Sequence, residues 1–253
     1  MHGWMNWLDE DDMSLKEKRE KLILGERCVI LIALLIVFVS AMERLCIPCS
    51  AQTEVYRSVN TEKKQIALSF DDGPHPILTE RILDILERYH AKATFFMVGV
   101  NVVNYPDAAH AVLKRGHEIG NHTFSHVRLS AMNESEVNRE IFDCEDALEE
   151  LLEYRPRLFR PPQGFINRHV EKCVEEGDYG LVLWSIDTRD WENKNAAQIA
   201  KNVIENAKPG DIILMHDYIG KQSKTPEALE IILPALIEKG YEFVTVSNML
   251  GIQ

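Results

Sequence analysis

Apolar and polar residues follow two alternating patterns along the chain after residue 65. Uninterrupted apolar runs such as Ile66–Leu68 are typical of buried strands, whereas apolar residues three and four positions apart are typical of amphipathic helices. The runs predict strands at 66–71, 93–99, 118–121, 158–160, 180–186, 212–216 and 241–246. The helical pattern predicts helices between them, at about 77–90, 106–115, 134–154, 168–176, 196–207 and 226–239.

This alternation of strand and helix predicts an α/β fold with a parallel sheet covered by helices. About seven strand–helix units follow one another without an internal repeat, and a closed barrel or an open doubly wound sheet fits them equally. No Gly-x-Gly-x-x-Gly follows the first strand, so a dinucleotide site is not expected. The polar motifs all come directly after strands, which is where barrels of this kind carry their sites.

The N-terminal part has the layout of an export signal. A basic stretch precedes an uncharged apolar run of 15 residues at 28–42, which is shorter than the about 20 residues of a full membrane span. We therefore expect a cytoplasmic segment at 1–27, a signal-peptide core or membrane anchor at 28–42, a polar linker at 43–65 and a globular domain at 66–250. A cleaved signal and a retained anchor both stay open, and either one places the domain on the outer side of the membrane.

Charge and cysteine content exclude several classes of protein. The formal net charge is −12, whereas nucleic-acid binding needs a basic face, so no nucleic acid is expected as a partner. The five cysteines show neither a disulfide framework nor the paired spacing of a structural zinc site. Two of them, Cys144 and Cys173, fall on predicted helices.

Two motifs point to a metal centre. Asp71 and Asp72 stand side by side at the end of the first strand, before a turn at Gly73-Pro74, and a bound cation would relieve their mutual repulsion. His122 and His126 have i, i+4 spacing, which on a helical turn would let both rings share a metal. Asp72 and the two histidines would supply the three protein ligands that zinc takes in catalytic sites. A solvated turn and two surface histidines are the alternative.

Three further motifs follow later strands, and each alone also fits a structural role. Arg160 lies before Pro161-Pro162, which would hold it rigidly enough to orient a carboxylate. The stretch from Trp184 to Trp191 places aromatic rings beside carboxylates, a combination that suits the apolar faces and polar rims of sugars. His216 ends an apolar strand and has the chemistry of a proton donor near neutral pH.

Taken together and in this order, the five motifs resemble those of the NodB-type polysaccharide deacetylases, carbohydrate esterase family four, over residues 64–246. The resemblance implies a distorted (β/α) barrel of about seven strands and one divalent metal, usually zinc, with cobalt or manganese as alternatives. It implies an enzyme that removes N-acetyl groups from N-acetylglucosamine polymers, with peptidoglycan the first choice. Chitooligosaccharide, poly-N-acetylglucosamine, O-acetyl xylan and a catalytically silent wall-binding role stay open, and a monomer is expected.

The resemblance also implies a role for each motif residue. Asp72, His122 and His126 would be the metal ligands. Asp71 would be the general base, oriented by Arg160, and His216 the general acid, tuned by Asp190. The substrate contacts would come from the Gln163 backbone N–H at the oxyanion, from Trp191 and Leu214 around the acetyl methyl, and from Asp187. The chain departs from the usual pattern at Val127, where proline is common, and at Gln163, where tyrosine is common.

Overall fold

The computed structural model describes residues 53–192, 195–218 and 223–252, together with Arg19, Glu20, Leu22 and Ile32. The predicted segments 1–27 and 28–42, apart from those four positions, and the predicted linker up to residue 52 lie outside the described residues. Thr53–Gln253 forms a compact unit of its own. Among the residues described, no helix combines the length and the apolar character that a membrane crossing needs.

One parallel sheet organises the described part of the chain. Its nine strands are β1 (Val55–Tyr56), β2 (Gln65–Asp71), β3 (Ala93–Met97), β4 (Glu118–Asn121), β5 (Leu158–Phe159), β6 (Gly180–Val182), β7 (Ile186–Asp187), β8 (Ile212–His216) and β9 (Glu242–Phe243). The strands neighbour one another in the order β1-β6-β5-β4-β3-β2-β8-β7, and β9 pairs with the start of β2. The predicted α/β parallel sheet is confirmed, in the form of a curled half-barrel.

Helices follow most of the strands. They are α1 (Leu78–Arg88), α2 (Gly99–Asn104), α3 (Pro106–Lys114), α4 (Glu134–Leu152), α5 (Arg168–Glu176), α6 (Ala196–Asn206), α7 (Thr225–Glu238) and α8 (Val246–Leu250), with 3₁₀ turns at Leu129–Ala131 and Pro162–Gly164. Asn133 and Asn195 begin α4 and α6 with complete capping boxes, which satisfy backbone N–H groups at the helix starts. Cys144 and Cys173 are buried free thiols on α4 and α5.

Strand β2 is buried on both faces, and its alternation aims Asp71 into the barrel. Ile66, Leu68 and Phe70 pack in the core that includes residues of α1 and α7. Ala67, on the opposite face, packs in a separate core with Phe96 and residues of β6 and β8. Because side chains alternate along a strand, Ser69 and Asp71 share the inward face with Ala67. The carboxylate of Asp71 therefore ends the inner column of side chains at the sheet's C-terminal edge.

The structure differs from the prediction at both ends of the domain. Val55–Tyr56, inside the predicted linker 43–65, is strand β1 and pairs with β6 through Leu181 and Val182. A two-residue strand without a strong apolar run gives no periodic signal in the sequence. At the other end only Glu242–Phe243 of the predicted strand 241–246 pairs with β2, and Thr245 caps the short helix α8.

The predicted strand 180–186 is two strands on opposite sides of a gap in the sheet. Its first part, β6, pairs with β5, and its last part, β7, pairs with β8. Between them the Leu183 N–H donates to Tyr56 O at 2.7 Å and the Ser185 N–H donates to Ile212 O at 3.0 Å. The apolar run predicts burial but not the change of partner. The predicted strand 93–99 likewise ends at Met97, because Gly99 begins α2.

Candidate active site

A cleft of about 450 Å³ opens at the C-terminal edge of the sheet. Its lining comprises Asp71, Asp72, His122, His126, Gln163, Trp184, Asp187, Trp191, Leu214 and His216. Nine of the eleven side chains predicted from the sequence are in this list, and Arg160 and Asp190 lie directly behind it, in contact with Asp71 and His216. The volume is in the range of natural small-ligand pockets, which run from about 300 to 1,000 Å³.

Asp71 is held by a fully buried arginine. Arg160 Nη1 donates to Asp71 Oδ1 at 2.6 Å and to Ser69 Oγ at 2.9 Å, and Nη2 donates to Leu183 O at 3.0 Å. The guanidinium also stacks over the Phe96 ring, 4.0 Å from its centroid. Burial lowers the pKa of Arg160, and the charge and hydrogen bond of Asp71 oppose that change. With Oδ1 engaged by the arginine, the other oxygen of Asp71 is left for the cleft.

Asp72 reaches the same cleft because the backbone turns at that residue. Its φ is +77°, a left-handed conformation that few non-glycine residues adopt. The turn is held on one side by Asn101 Nδ2, which donates to Asp72 O at 2.8 Å. In a regular strand Asp71 and Asp72 would point to opposite faces. The left-handed turn instead places both carboxylates on the cleft wall.

His122 and His126 converge on Asp72 through an irregular loop. Asp72 Oδ1 lies 3.5 Å from His122 Nε2 and 3.0 Å from His126 Nε2. The prediction of a helical turn is wrong here, since residues 122–128 form no helix and His126 itself has a φ of +55°. The two rings converge because residues of this loop have left-handed backbone conformations, not because they share one face of a helix.

The three side chains form a set that can hold a cation. The ligand atoms of Asp72, His122 and His126 lie within 4.8 Å of one another. His122 Nδ1 is 2.6 Å from the carbonyl oxygen of Arg160, which can only accept, so this nitrogen carries the proton. In the neutral ring the Nε2 lone pair of His122 then points toward Asp72 Oδ1, 3.5 Å away, so a cation between them would be bound by both. Without a cation, a proton on Nε2 can donate to Asp72 instead. A divalent cation fits this arrangement, since tetrahedral zinc separates its N and O ligands by about 3.3 Å.

The charges of this cluster depend on one another. Burial would raise the pKa of Asp72, but the hydrogen bonds from His122 and His126 hold that pKa well below its usual range. The hydrogen bond to Asp72 in turn raises the pKa of His126. Asp72 is therefore an anion at neutral pH, which is the form a metal ligand needs.

His216 is fixed and charged by Asp190. Its Nδ1 donates to Asp190 Oδ1 at 2.7 Å, while Asp190 Oδ2 accepts from the His216 backbone N–H at 2.8 Å and from Thr225 Oγ1 at 2.7 Å. Burial would lower the pKa of His216. The hydrogen bond and charge of Asp190, with the charges of Asp71 and Asp72, outweigh burial and raise the pKa to about 9. The ring is thus an imidazolium at neutral pH with its Nε2–H directed away from Asp190.

The remaining wall combines apolar surface with a strained turn. Leu214 is 4% exposed and Trp191 is 52% exposed, so one is a buried floor and the other a rim. Gln163 has a φ of +60° inside the 3₁₀ turn that follows Arg160. Asp187 Oδ1 accepts from the Arg189 N–H at 2.8 Å, which fixes the carboxylate at the end of β7.

Sequence reasoning named Trp184 only as part of a stretch suited to sugars and did not single out Thr225 or Asn101, and all three complete this site. Trp184 lines the cleft, although its place at the end of an apolar run fits a core residue equally well. Thr225 supports Asp190, and Asn101 supports the turn at Asp72. Both lie about 30 residues in sequence from the groups that they contact. The pattern of apolar residues around them indicates which positions are buried but not which side chains they meet. A threonine at the start of a helix gives no sign of its partner.

Comparisons with known proteins agree with this geometry. The polysaccharide deacetylase family model matches residues 58–182. The chain is 46% identical over 194 residues to a peptidoglycan-N-acetylglucosamine deacetylase of Bacillus cereus, covering 76% of this chain and 91% of the relative.

Solved structures give the same assignment. A crystal structure of a peptidoglycan N-acetylglucosamine deacetylase matches with a TM-score of 0.75 at 39% identity, covering 77% of this chain and 92% of the other. A family 4 acetyl xylan esterase from Clostridium thermocellum, in complex with a cobalt ion, matches with a TM-score of 0.69 at 35% identity, over 75% and 91% of the two chains. Fold, site and relatives together show that this chain belongs to the polysaccharide deacetylase family.

Proposed function

We propose that this chain is a metal-dependent hydrolase that removes the N-acetyl group from N-acetylglucosamine residues of peptidoglycan. The observation that carries the proposal is the meeting, in one cleft, of a cation-binding triad, an arginine-held carboxylate and a charged histidine. Relatives named as peptidoglycan deacetylases support the choice of polymer. The side chains that line the cleft all come from one chain, which supports the expected monomer.

Asp72, His122 and His126 are the residues that would hold the metal. We assign zinc, because two imidazoles and one carboxylate are its usual catalytic ligands. Cobalt and manganese are the alternatives, and the cobalt-bound family 4 esterase supports the first of these. When bound, the ion supplies Lewis acidity, which makes water a better nucleophile and draws electrons from an acyl oxygen.

Asp71 and His216 divide the proton transfers between them. Asp71, its orientation set by Arg160, is the base that takes a proton from the attacking water. His216 is the acid that gives its Nε2 proton to the departing sugar amine, and Asp190 keeps it charged until then. The Gln163 N–H would hold the oxyanion, while Leu214 and Trp191 would surround the acetyl methyl and Asp187 would bind the sugar.

The proposed substrate also sets the place of action. Peptidoglycan lies outside the cytoplasmic membrane, which agrees with the export segment predicted at 28–42. The domain at 66–250 would therefore act on the cell-wall side, whether it is released or stays attached to the membrane.

The test is acetate release by the purified full chain with zinc, measured on peptidoglycan, N-acetylglucosamine oligomers and acetylated xylan. We expect acetate together with new free amines from the first two, and the fastest release from peptidoglycan. Asp71→Asn should abolish release while binding to insoluble peptidoglycan persists. If the wild-type chain binds peptidoglycan but releases no acetate, it is a silent wall-binding protein. If it releases acetate from xylan alone, it is an esterase.

Metal binding has its own control within the chain. His126→Ala should remove zinc from the protein, as measured by elemental analysis after dialysis. His110→Ala alters an exposed histidine on α3 and should leave one zinc per chain. Equal zinc content in the two variants would contradict the proposed ligand set.

A further inference from the structure

A cluster of aromatic rings includes residues that follow Asp71 and His216 closely in sequence, and it is used by none of the steps above. The rings of His75 and Tyr218 are stacked, with centroids 5.1 Å apart and planes at 23°, and Tyr105 packs against His75 at 6.2 Å. None of the three is among the side chains that line the catalytic cleft. We call the pair of His75 and Tyr218 the aromatic platform.

The ring of His75 is held in one orientation. Its Nδ1 accepts from the backbone N–H groups of Ile77 and Leu78 at 3.2 and 3.1 Å, at the start of α1. Because Nδ1 is an acceptor, the neutral ring carries its proton on Nε2, and partial burial lowers the pKa of His75, which favours that neutral form. His75 N–H also donates to Thr79 Oγ1 at 2.8 Å. The His75 half of the platform is therefore oriented before any ligand arrives, which reduces the entropy lost on binding.

Part of the platform is open to solvent. Tyr218 is 43% exposed, although its stacking against His75 covers one ring face. Ile77, whose backbone caps the same turn, is 65% exposed. The uncovered face of the Tyr218 ring is therefore apolar surface that a ligand can cover. The Nε2–H of His75 and the hydroxyl of Tyr218 add polar groups at the edges.

The platform is built on the same two strands as the proposed base and acid. Asp71 at the end of β2 and His216 at the end of β8 are register partners. His75 lies in the loop after β2, and Tyr218 lies in the loop after β8. Thr79 Oγ1, in the first turn of α1, donates to the buried Oδ2 of Asp217 at 2.6 Å and so ties the start of this helix to the loop after β8. The platform therefore lies on the segments that directly follow the proposed base and acid, where a polymer bound in the cleft can extend.

We propose that the His75–Tyr218 platform is a subsite for a pyranose ring of the glycan strand, far enough from the deacetylated sugar that a dimer does not reach it. The apolar C–H face of the sugar would lie on the aromatic surface, and its hydroxyls would meet the polar edges of the platform. The proposal rests on the proposed function, because it needs a polymeric substrate. Its consequence is a preference for long chains over short ones.

The test compares the hexamer and the dimer of N-acetylglucosamine as substrates of the full chain. Tyr218→Ala should raise KM for the hexamer on the order of tenfold, with kcat unchanged, and leave dimer kinetics unaltered. His75→Asn should act in the same direction, because asparagine keeps a helix-capping acceptor while the ring is lost. Ile237→Ala, at an exposed site on α7, serves as the control and should leave the kinetics of both substrates unchanged.

Each other outcome has a distinct meaning. Unchanged hexamer kinetics in both platform variants would overturn the subsite, and so would an equal loss on hexamer and dimer, which indicates a general disturbance of the cleft. If the wild-type chain releases no acetate from either oligomer, the proposed function fails. Calorimetric binding of the hexamer then decides the platform separately, because Tyr218→Ala must still weaken binding for the subsite to stand.

Discussion

Replacing Asp190 with asparagine tests how the protein keeps His216 charged. The pKa of His216 is about 9, against an ordinary value of 6.5, and Asp190 supplies both its hydrogen bond and its nearest opposing charge. A difference of this size corresponds to about 3 kcal/mol in favour of the imidazolium. A cation held by Asp72 would offset that carboxylate's charge, so the contribution of Asp190 matters most in the loaded enzyme.

The expected result is a shift of the alkaline limb of the pH profile. Because the charged ring is the active form and a cation offsets the charge of Asp72, the alkaline limb of kcat/KM in the wild type should lie between the ordinary histidine value of 6.5 and about 9. In Asp190→Asn that limb should move down toward the ordinary histidine range. Acetate release should then drop on the order of tenfold at about pH 7.5 and much less at about pH 6.

The matched control is Thr225→Val. It removes a neutral hydrogen bond to Asp190 but leaves the carboxylate charge in place, so its alkaline limb should stay close to that of the wild type. An Asp190→Asn profile with an unmoved alkaline limb and a uniform loss of rate would refute the reasoning. Asp190 would then position His216 without tuning it.

The same pair predicts how stability depends on pH. A pKa that is raised in the folded state contributes stability below the unfolded value of about 6.5, and this contribution is lost as the pH rises through about 9. Urea unfolding should therefore show a larger difference between wild type and Asp190→Asn at about pH 6 than at about pH 10. An equal difference at both values would contradict the link to His216.

Two further substitutions probe the frame around Asp71. Arg160→Met leaves the buried carboxylate of Asp71 unpaired and should lower the free energy of unfolding in urea by about 3–5 kcal/mol. Arg88→Met, at an exposed ion pair, should lower it by about 0–1 kcal/mol. Equal losses in the two variants would contradict the role of burial. Gly73→Ala should lower both the melting temperature and acetate release, because its Cβ would lie 2.2 Å from the Asp217 carboxylate. The stability cost should shrink when Asp217→Ala is also present, and additive costs would exclude this clash.

The sequence predicted the central strands well, because their burial leaves a simple pattern. Ile66 to Phe70 are fully buried, and an apolar run broken only by Ser69 and ending in two carboxylates indicates both the strand and its functional end. The C-terminal edge of a parallel sheet then gathers motifs that lie far apart in sequence. For this reason Asp71, Arg160 and His216 could be placed in one site without knowledge of the contacts between them.

The parts that the sequence did not predict depend on backbone conformation and on distant partners. Asp72, His126 and Gln163 have positive φ values, but none of them is a glycine, so the sequence does not indicate this conformation. Such conformations cost on the order of 1–3 kcal/mol each and persist only where the surrounding fold enforces them. The His122–His126 spacing therefore predicted two rings that do converge, but the wrong local structure.

The change of strand partners between β6 and β7 was also invisible in the sequence. Leu181, Leu183 and Ile186 are all buried, so one apolar run covers both strands and the crossing between them. The partner of each strand depends on the position of the gap in the half-barrel, and that position is a property of the whole sheet. Strand β1 was missed for a related reason, since its pairing with β6 defines it rather than its own composition.

The most direct test of the central claim is acetate release from peptidoglycan by the full chain after chelation, followed by titration with zinc. If Asp72, His122 and His126 gather the ion that activity requires, the stripped protein should release no acetate. Activity should return in proportion to added zinc and saturate near one ion per chain, and Asp72→Asn should need far more zinc. Full activity of the stripped protein, with no response to zinc, would contradict the account.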